Sequence, residues 1–113
     1  MTNKYRNKIT VLGGIKFDSI AEASRYQELM ILLRAGKIRE LRLQPVFELA
    51  PGVIIQGRRR PPLRYIADFK YFDDHRNEII EDVKGKITEG YRIKRHLMKS
   101  VHNIDILETK GGR

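Results

Sequence analysis

The chain reads as a mixed α/β (α+β) domain, a mainly antiparallel sheet packed by two helices. Three observations predict it. Two segments carry helical periodicity between recognisable start and stop signals. The stretches between them alternate apolar and polar residues or run β-branched, as strands do. At 113 residues the chain has the length of one domain, enough for a single core without disulfides or structural metals.

Taken in order, "ITVLGGIKF" (Ile9 to Phe17) is two short apolar runs joined by Gly13-Gly14, a two-residue hairpin signal. "SIAEASRYQELMILLRA" follows as a helix from Ser19 to Ala35, ended by Gly36, where a left-handed residue closes the last turn. Its apolar stripe is Tyr26, Leu29, Met30 and Leu33. "IRELRLQPVFEL" (Ile38 to Leu49) alternates like a strand and is expected to break at Gln44-Pro45. "VIIQ" is a further extended piece, and "GRRRPPLR" an exposed connecting loop with two prolines and four arginines. Tyr65 to Phe72 and Glu78 to Val83 form a hairpin turning at "DDHRN", rich in turn-forming residues. A second helix from about Thr88 to His102 and a short strand, "IDILE", complete the order hairpin-α-βββ-α-β, with a fourth strand allowed in the middle. The core is expected over residues 8–108, with 1–7 and 109–113 flexible.

Composition narrows the function classes. There are 23 Lys+Arg against 14 Asp+Glu, a formal charge of +9, which points to a polyanionic partner, most often nucleic acid. Charge alone says nothing of catalysis. With no cysteine, disulfides, thiolate zinc sites and a cysteine nucleophile are excluded, so any metal must be held by oxygen or imidazole. No run approaches the roughly 20 apolar residues of a membrane span, and no apolar signal segment follows "MTNKYRNK"; no membrane partner and a cytoplasmic location are expected.

The stretch "NEIIEDVKGK" places three charges in a strand. Alternation puts Ile80, Asp82 and Lys84 on one face and Ile79, Glu81 and Val83 on the other, where Glu81 needs only a solvent or salt-bridge explanation. In "YIADFKYF", Asp68 falls with Ile66 and Lys70, opposite Tyr65, Ala67, Phe69 and Tyr71. Asp68 and Asp82 lie seven residues either side of His75, so a hairpin centred there makes them cross-strand neighbours. Two adjacent carboxylates are relieved by protonation, a cation or a metal. From alternation alone, an ordinary solvated face with a weak salt bridge is the simpler account of Asp68, Asp82 and Lys84. Glu22 sits one turn before Tyr26 on the first helix's apolar stripe, where a carboxylate needs an ionic receiver or, as Ser19-x-x-Glu22 allows, a capping box.

Together, Glu22, Asp68 and Asp82-Val83-Lys84, in this element order, resemble the PD-(D/E)xK nuclease superfamily, whose restriction-endonuclease-like core is a central mixed sheet flanked by two helices. More closely, "GIKFDSIAEASRYQEL", "LQPVFEL", "YIADFKYF", "EDVKG" and "TEGYRIKRHLM" resemble a family of small nuclease-like proteins of phages and prophages, over about Ile9 to Glu108. The chain departs from the superfamily pattern at Ala67, where the motif proline stands, and at Asp82, where glutamate is commoner. The resemblance implies a metal-dependent endodeoxyribonuclease in a bacterial host's cytoplasm. Asp68, Asp82 and the Val83 carbonyl would bind Mg²⁺, or Mn²⁺ in its place, with Glu22 joining directly or through water. Lys84 would orient the attacking water or offset transition-state charge, and Gln44 matches a recurrent position near the metal. The products would carry 5′-phosphate and 3′-hydroxyl ends.

For DNA binding, Arg58, Arg59, Arg60 and Arg64 are the first candidates. The second helix adds Arg92, Arg95 and Lys99 outside a core stripe of Ile93, Leu97 and Val101, with Lys94 at the rim. The tyrosines, Tyr5 included, read as core packing before base stacking, and the histidines have no assigned role. The implied substrate is branched or structured phage DNA in recombination or packaging, with other phage proteins as partners and a homodimer where both strands are cut. A catalytically inactive DNA-binding accessory protein of the same fold is the alternative, and an RNA-binding protein a third reading.

Overall fold

The computed structural model describes residues 9–110. The first hairpin is β1 (Thr10–Leu12) and β2 (Ile15–Phe17), and both turn glycines, Gly13 and Gly14, take the positive φ that a type I′ turn demands. Helix α1 (Ile20–Arg34) starts where the Ser19 hydroxyl accepts the Glu22 N–H at 3.1 Å, and it ends at Ala35 before left-handed Gly36. Strands β3 (Arg39–Leu43) and β4 (Val46–Ala50) are separated at Gln44-Pro45, with Gln44 left-handed.

The segment expected as a loop contains a second hairpin. Strands β5 (Val53–Ile55) and β6 (Arg58–Arg60) pair antiparallel about Gln56-Gly57, both left-handed. Arg58, Arg59 and Arg60 thus lie in a strand, and Arg64 in the next one. The expected strand Tyr65 to Phe72 is two: β7 (Leu63–Ile66), which pairs with β4, and β8 (Phe69–Phe72), which pairs with β3 and with β9 (Glu78–Val83). The break at Ala67-Asp68 turns the chain over, so Tyr65 and Ala67 pack on one side and Phe69 and Tyr71 on the other. Helix α2 (Glu89–His102), capped by Thr88, leads to β10 (Leu107–Thr109). Thr109, expected in the flexible end, is instead a strand residue opposite Val83. The expectations for residues 1–7, Tyr5 and residues 111–113 lie outside the described residues.

The central sheet has the order β10-β9-β8-β3 and is mixed: β10 runs parallel to β9, and the other pairs are antiparallel. On one face α1 covers a core of Phe17, Leu29, Ile38, Phe69 and Tyr71. On the other, Met98 and Tyr91 of α2 pack with Ile80, Leu49, Tyr65 and Ala67. Burying side chains such as Phe69, Leu29 and Met98 contributes about 1.5–3 kcal/mol each. The buried stripe of α2 is therefore Tyr91 and Met98, with Leu97 at its margin. Ile93 and Val101, expected inside, are exposed, because the helix is rotated to present Tyr91 to the sheet.

Candidate functional site

The β8–β9 hairpin fixes the geometry. Its four cross-strand pairs, Phe69–Glu81 to Phe72–Glu78, are all symmetric about residue 75. At the closing turn Asp73 accepts the N–H groups of His75 and Asn77. Continued one step outward, this register sets Asp68 opposite Asp82. The two do not close the ladder with backbone bonds. Instead the Asp68 N–H reaches the Glu81 carbonyl at 3.1 Å, and the Asp68 carboxylate accepts the Val83 N–H at 2.7 Å. Backbone bonds from Ala67 N–H to the Pro45 carbonyl and from Gln44 N–H to the Asp68 carbonyl tie the break to the β3–β4 corner. Gln44 is thus joined to the site through its backbone, and its side chain is exposed.

Asp68 lies within hydrogen-bonding reach of both Asp82 and Glu22. Asp82 is 4% exposed and Glu22 5% exposed. Burial first, then the hydrogen bond and negative charge of Asp82, push the Asp68 carboxyl up to about 9. Burial and the nearby Asp18 carboxylate raise Glu22 as well. Glu22 also accepts the Asp18 N–H at 3.3 Å. It therefore reaches back over its helix start, as a capping residue does, while facing the aspartates.

Cationic compensation is local and partial. The Lys84 ammonium stands 3.5 Å from Asp82 and 4.0 Å over the Tyr91 ring. Lys84 is positioned by its own N–H, which donates to the Thr109 carbonyl at 2.8 Å. Asp82 also accepts a short hydrogen bond from the Tyr65 hydroxyl, whose pKa burial and that carboxylate raise well above the ordinary phenol range. Among the described residues, no three His, Cys, Asp or Glu side chains have their ligating atoms gathered as a metal-binding group. The carboxylates face one another through hydrogen bonds.

Several neighbours had no role in the sequence reading. Glu108 of β10 is the cross-strand partner of Asp82, and it accepts from Tyr91 Oη at 2.5 Å and Arg95 Nη1 at 2.9 Å. Those two donors hold its carboxyl below the usual range. Glu81 is not a solvent residue: it is 0% exposed, bound by Arg25 Nε at 2.6 Å and Arg25 Nη2 at 3.1 Å, Tyr71 Oη at 2.6 Å and Thr109 Oγ1 at 3.0 Å. Arg25 lies one turn after Glu22 on α1, and no local spacing announces its pairing with Glu81, 56 residues away. The recurring device is a tyrosine hydroxyl on a carboxylate, at Asp82, Glu81 and Glu108, which apolar periodicity does not reveal.

The candidate DNA-binding residues divide into two groups. Arg92 is paired with Glu89, Arg95 with Glu108 and Lys99 with Asp105. Arg58, Arg59, Arg60, Arg64 and Lys94 are exposed, and none has an ion-pair partner among the described residues. No helix among the described residues is long and apolar enough to cross a membrane.

Comparison with curated proteins and with solved structures finds no match. One family model covers residues 2–108, nearly the whole chain, including all of Glu22, Asp68, Asp82 and Lys84. The chain belongs to that family, described as protein of unknown function (DUF1064).

Proposed function

We propose that the chain is a metal-dependent endodeoxyribonuclease of the PD-(D/E)xK kind, hydrolysing DNA phosphodiester bonds. The observation that carries this reading is the meeting of Glu22 from α1, Asp68 from the β7–β8 break and Asp82 from β9 beside Lys84. The succession α1, three strands of one sheet, α2 and a parallel β10 supports a restriction-endonuclease-like core.

The donor set fits a hard dication. It offers only oxygen, and its negative charge is relieved in the metal-free protein by a proton on Asp68. Asp68, Asp82 and the Val83 carbonyl would hold Mg²⁺ or Mn²⁺, with Glu22 joining directly or through water. When bound, the ion polarises the scissile phosphate and lowers the pKa of a water. Hydrolysis forms a bond from that water's oxygen to phosphorus and breaks the P–O3′ bond, leaving 5′-phosphate and 3′-hydroxyl ends. Lys84, held by its backbone and half-buried against Tyr91, orients the water or offsets charge on the phosphoryl oxygens. Branched or structured phage DNA, with recombination or packaging proteins as partners, is the proposed setting, and cutting both strands would call for a homodimer.

The test is incubation with supercoiled, linear and four-way-junction DNA in Mg²⁺, Mn²⁺ or EDTA. Cleavage is expected with metal only, and Asp82→Ala is expected to lower it by at least about 100-fold. No cleavage of any substrate with metal, or parental cleavage by Asp82→Ala, overturns the reading.

One observation favours a second reading, a catalytically inactive DNA-binding accessory protein. The carboxylates satisfy one another, and the Tyr65 hydroxyl already occupies Asp82. That protein would bind DNA equally in EDTA and would not take up Mn²⁺ in a titration.

A further inference from the structure

The β5–β6 ribbon is an anomaly in an otherwise closely packed fold. Every residue from Pro51 to Pro61 is exposed, and its strands pair with each other without packing extensively on any other element. Two-stranded ribbons of this length have little stability of their own, and exposed aliphatic residues on them invite association. Val53, Ile54 and Ile55 are nevertheless all exposed, Ile54 at 70%. Opposite them the register sets Arg60, Arg59 and Arg58.

One face of the ribbon thus carries Val53 and Ile55 beside Arg60 and Arg58, and the other carries Ile54 beside Arg59. Residues 49–67 contain no acid, so nothing in the ribbon neutralises these arginines. Arg64 extends the row onto β7. The turn is a two-residue one, Gln56 and Gly57 both being left-handed, and its tip stands clear of the rest of the fold, since a Cβ on Gly57 would meet nothing within 4 Å.

We infer that the β5–β6 ribbon enters the major groove of B-form DNA with Ile54 against base edges and Arg59 beside it, while Arg58 and Arg60 reach from the opposite face around the β6 edge, so that all three arginines meet flanking phosphates. The major groove, about 12 Å wide, admits a two-stranded ribbon and offers thymine methyls to an aliphatic side chain. A-form RNA presents a deep, narrow major groove that excludes such a ribbon. The charge complementarity is to a polyanion, and the aliphatic residues between the arginines distinguish a groove from a bare phosphate surface. This inference rests on DNA being the substrate, and it defines that substrate as duplex where the ribbon meets it.

The experiment is equilibrium binding of fluorescent DNA duplex, single strand and RNA duplex in EDTA, across a salt series. The wild-type chain is expected to prefer the DNA duplex. Replacing Arg58, Arg59 and Arg60 together by Ala should lower the salt slope by about 3, roughly 0.9 for each phosphate no longer neutralised. The triple Lys variant should keep the slope. Ile54→Ser should weaken DNA binding at unchanged slope, and thermal melting of all three variants should match the parent, since the ribbon contributes nothing to the core. An unchanged slope in the triple Ala variant, or equal affinity for RNA duplex, overturns the inference. So does Ile54→Ser dissolving a dimer in sedimentation while DNA binding stays intact, which would make the ribbon a surface for a second copy. Because EDTA separates binding from cutting, ribbon-dependent binding without cleavage in metal sinks only the nuclease reading. Cleavage and binding that survive the triple Ala substitution sink only this one.

Discussion

Replacing Asp68 with Asn tests the electrostatics of the carboxylate site directly. In the metal-free protein the Asp68 carboxyl is raised from 3.8 to about 9, so the folded chain holds a proton that the unfolded chain releases. The sign follows from linkage: the stabilisation is complete below the unfolded value and is lost as pH rises toward the folded one. One such proton changes stability by about 1.4 kcal/mol per pH unit. From about pH 5 to about pH 8 the metal-free protein should therefore lose about 4 kcal/mol, a melting-temperature drop of about 15 °C. Asn keeps the shape and a donor toward Asp82 but has no proton to lose. Thermal melts followed by circular dichroism in EDTA should show a steep decline for the parent and a much flatter one for Asp68→Asn, whose melting point should be the higher at the alkaline end. Adding Mn²⁺ there should restore the parent and leave the variant unmoved. A parent that melts at one temperature across this range, or a variant with the parental slope, would refute the reasoning.

Three further outcomes follow from the geometry. Arg25→Ala leaves the fully buried Glu81 without its cation and should cost about 3–5 kcal/mol in urea unfolding, because an uncompensated charge is stranded between α1 and the sheet. Tyr65→Phe removes the hydroxyl from Asp82 and should lower metal-free stability by about 1.5–3 kcal/mol, measured by the same unfolding curves, with Mn²⁺ uptake retained. Lys84→Ala should reduce cleavage by about 100- to 1,000-fold in single-turnover assays while Mn²⁺ affinity stays within a few-fold, since the ammonium acts on the phosphate or water rather than on the ion.

Much of the fold was legible in the sequence because its signals are local. Gly13-Gly14, the Ser19 cap and Gly36 mark turns and helix ends by backbone chemistry that needs no tertiary context. The symmetry of Asp68 and Asp82 about His75 anticipated the register that β8 and β9 adopt. Long-range features were hidden. The exposed strand Arg58–Arg60 has no apolar alternation to announce it, and its turn requires a left-handed glutamine, a conformation that residue rarely takes. The break at Ala67-Asp68 follows from two different strand partners, β4 before it and β3 and β9 after it, so continuous alternation across Tyr65 to Phe72 gave Tyr65 and Ala67 the wrong face. The rotation of α2 came from Tyr91, whose hydroxyl reaches Glu108 while its ring packs inward.

Adjacent acids facing opposite cores have a consequence for β9 itself. Aliphatic alternation alone would tolerate sliding this strand by two residues with modest loss, since Ile79, Ile80 and Val83 are interchangeable in bulk. Glu81 and Asp82 forbid it: Glu81 must meet Arg25 on the α1 side, and Asp82 must meet Tyr65 and Lys84 on the α2 side. A slide by one residue would send one acid to the other's partners and leave the second with none, and a slide by two would take both away from their partners. Charge thus acts as a two-sided key for the strand's position, and the residues proposed for chemistry also select the only alignment in which that chemistry can be assembled.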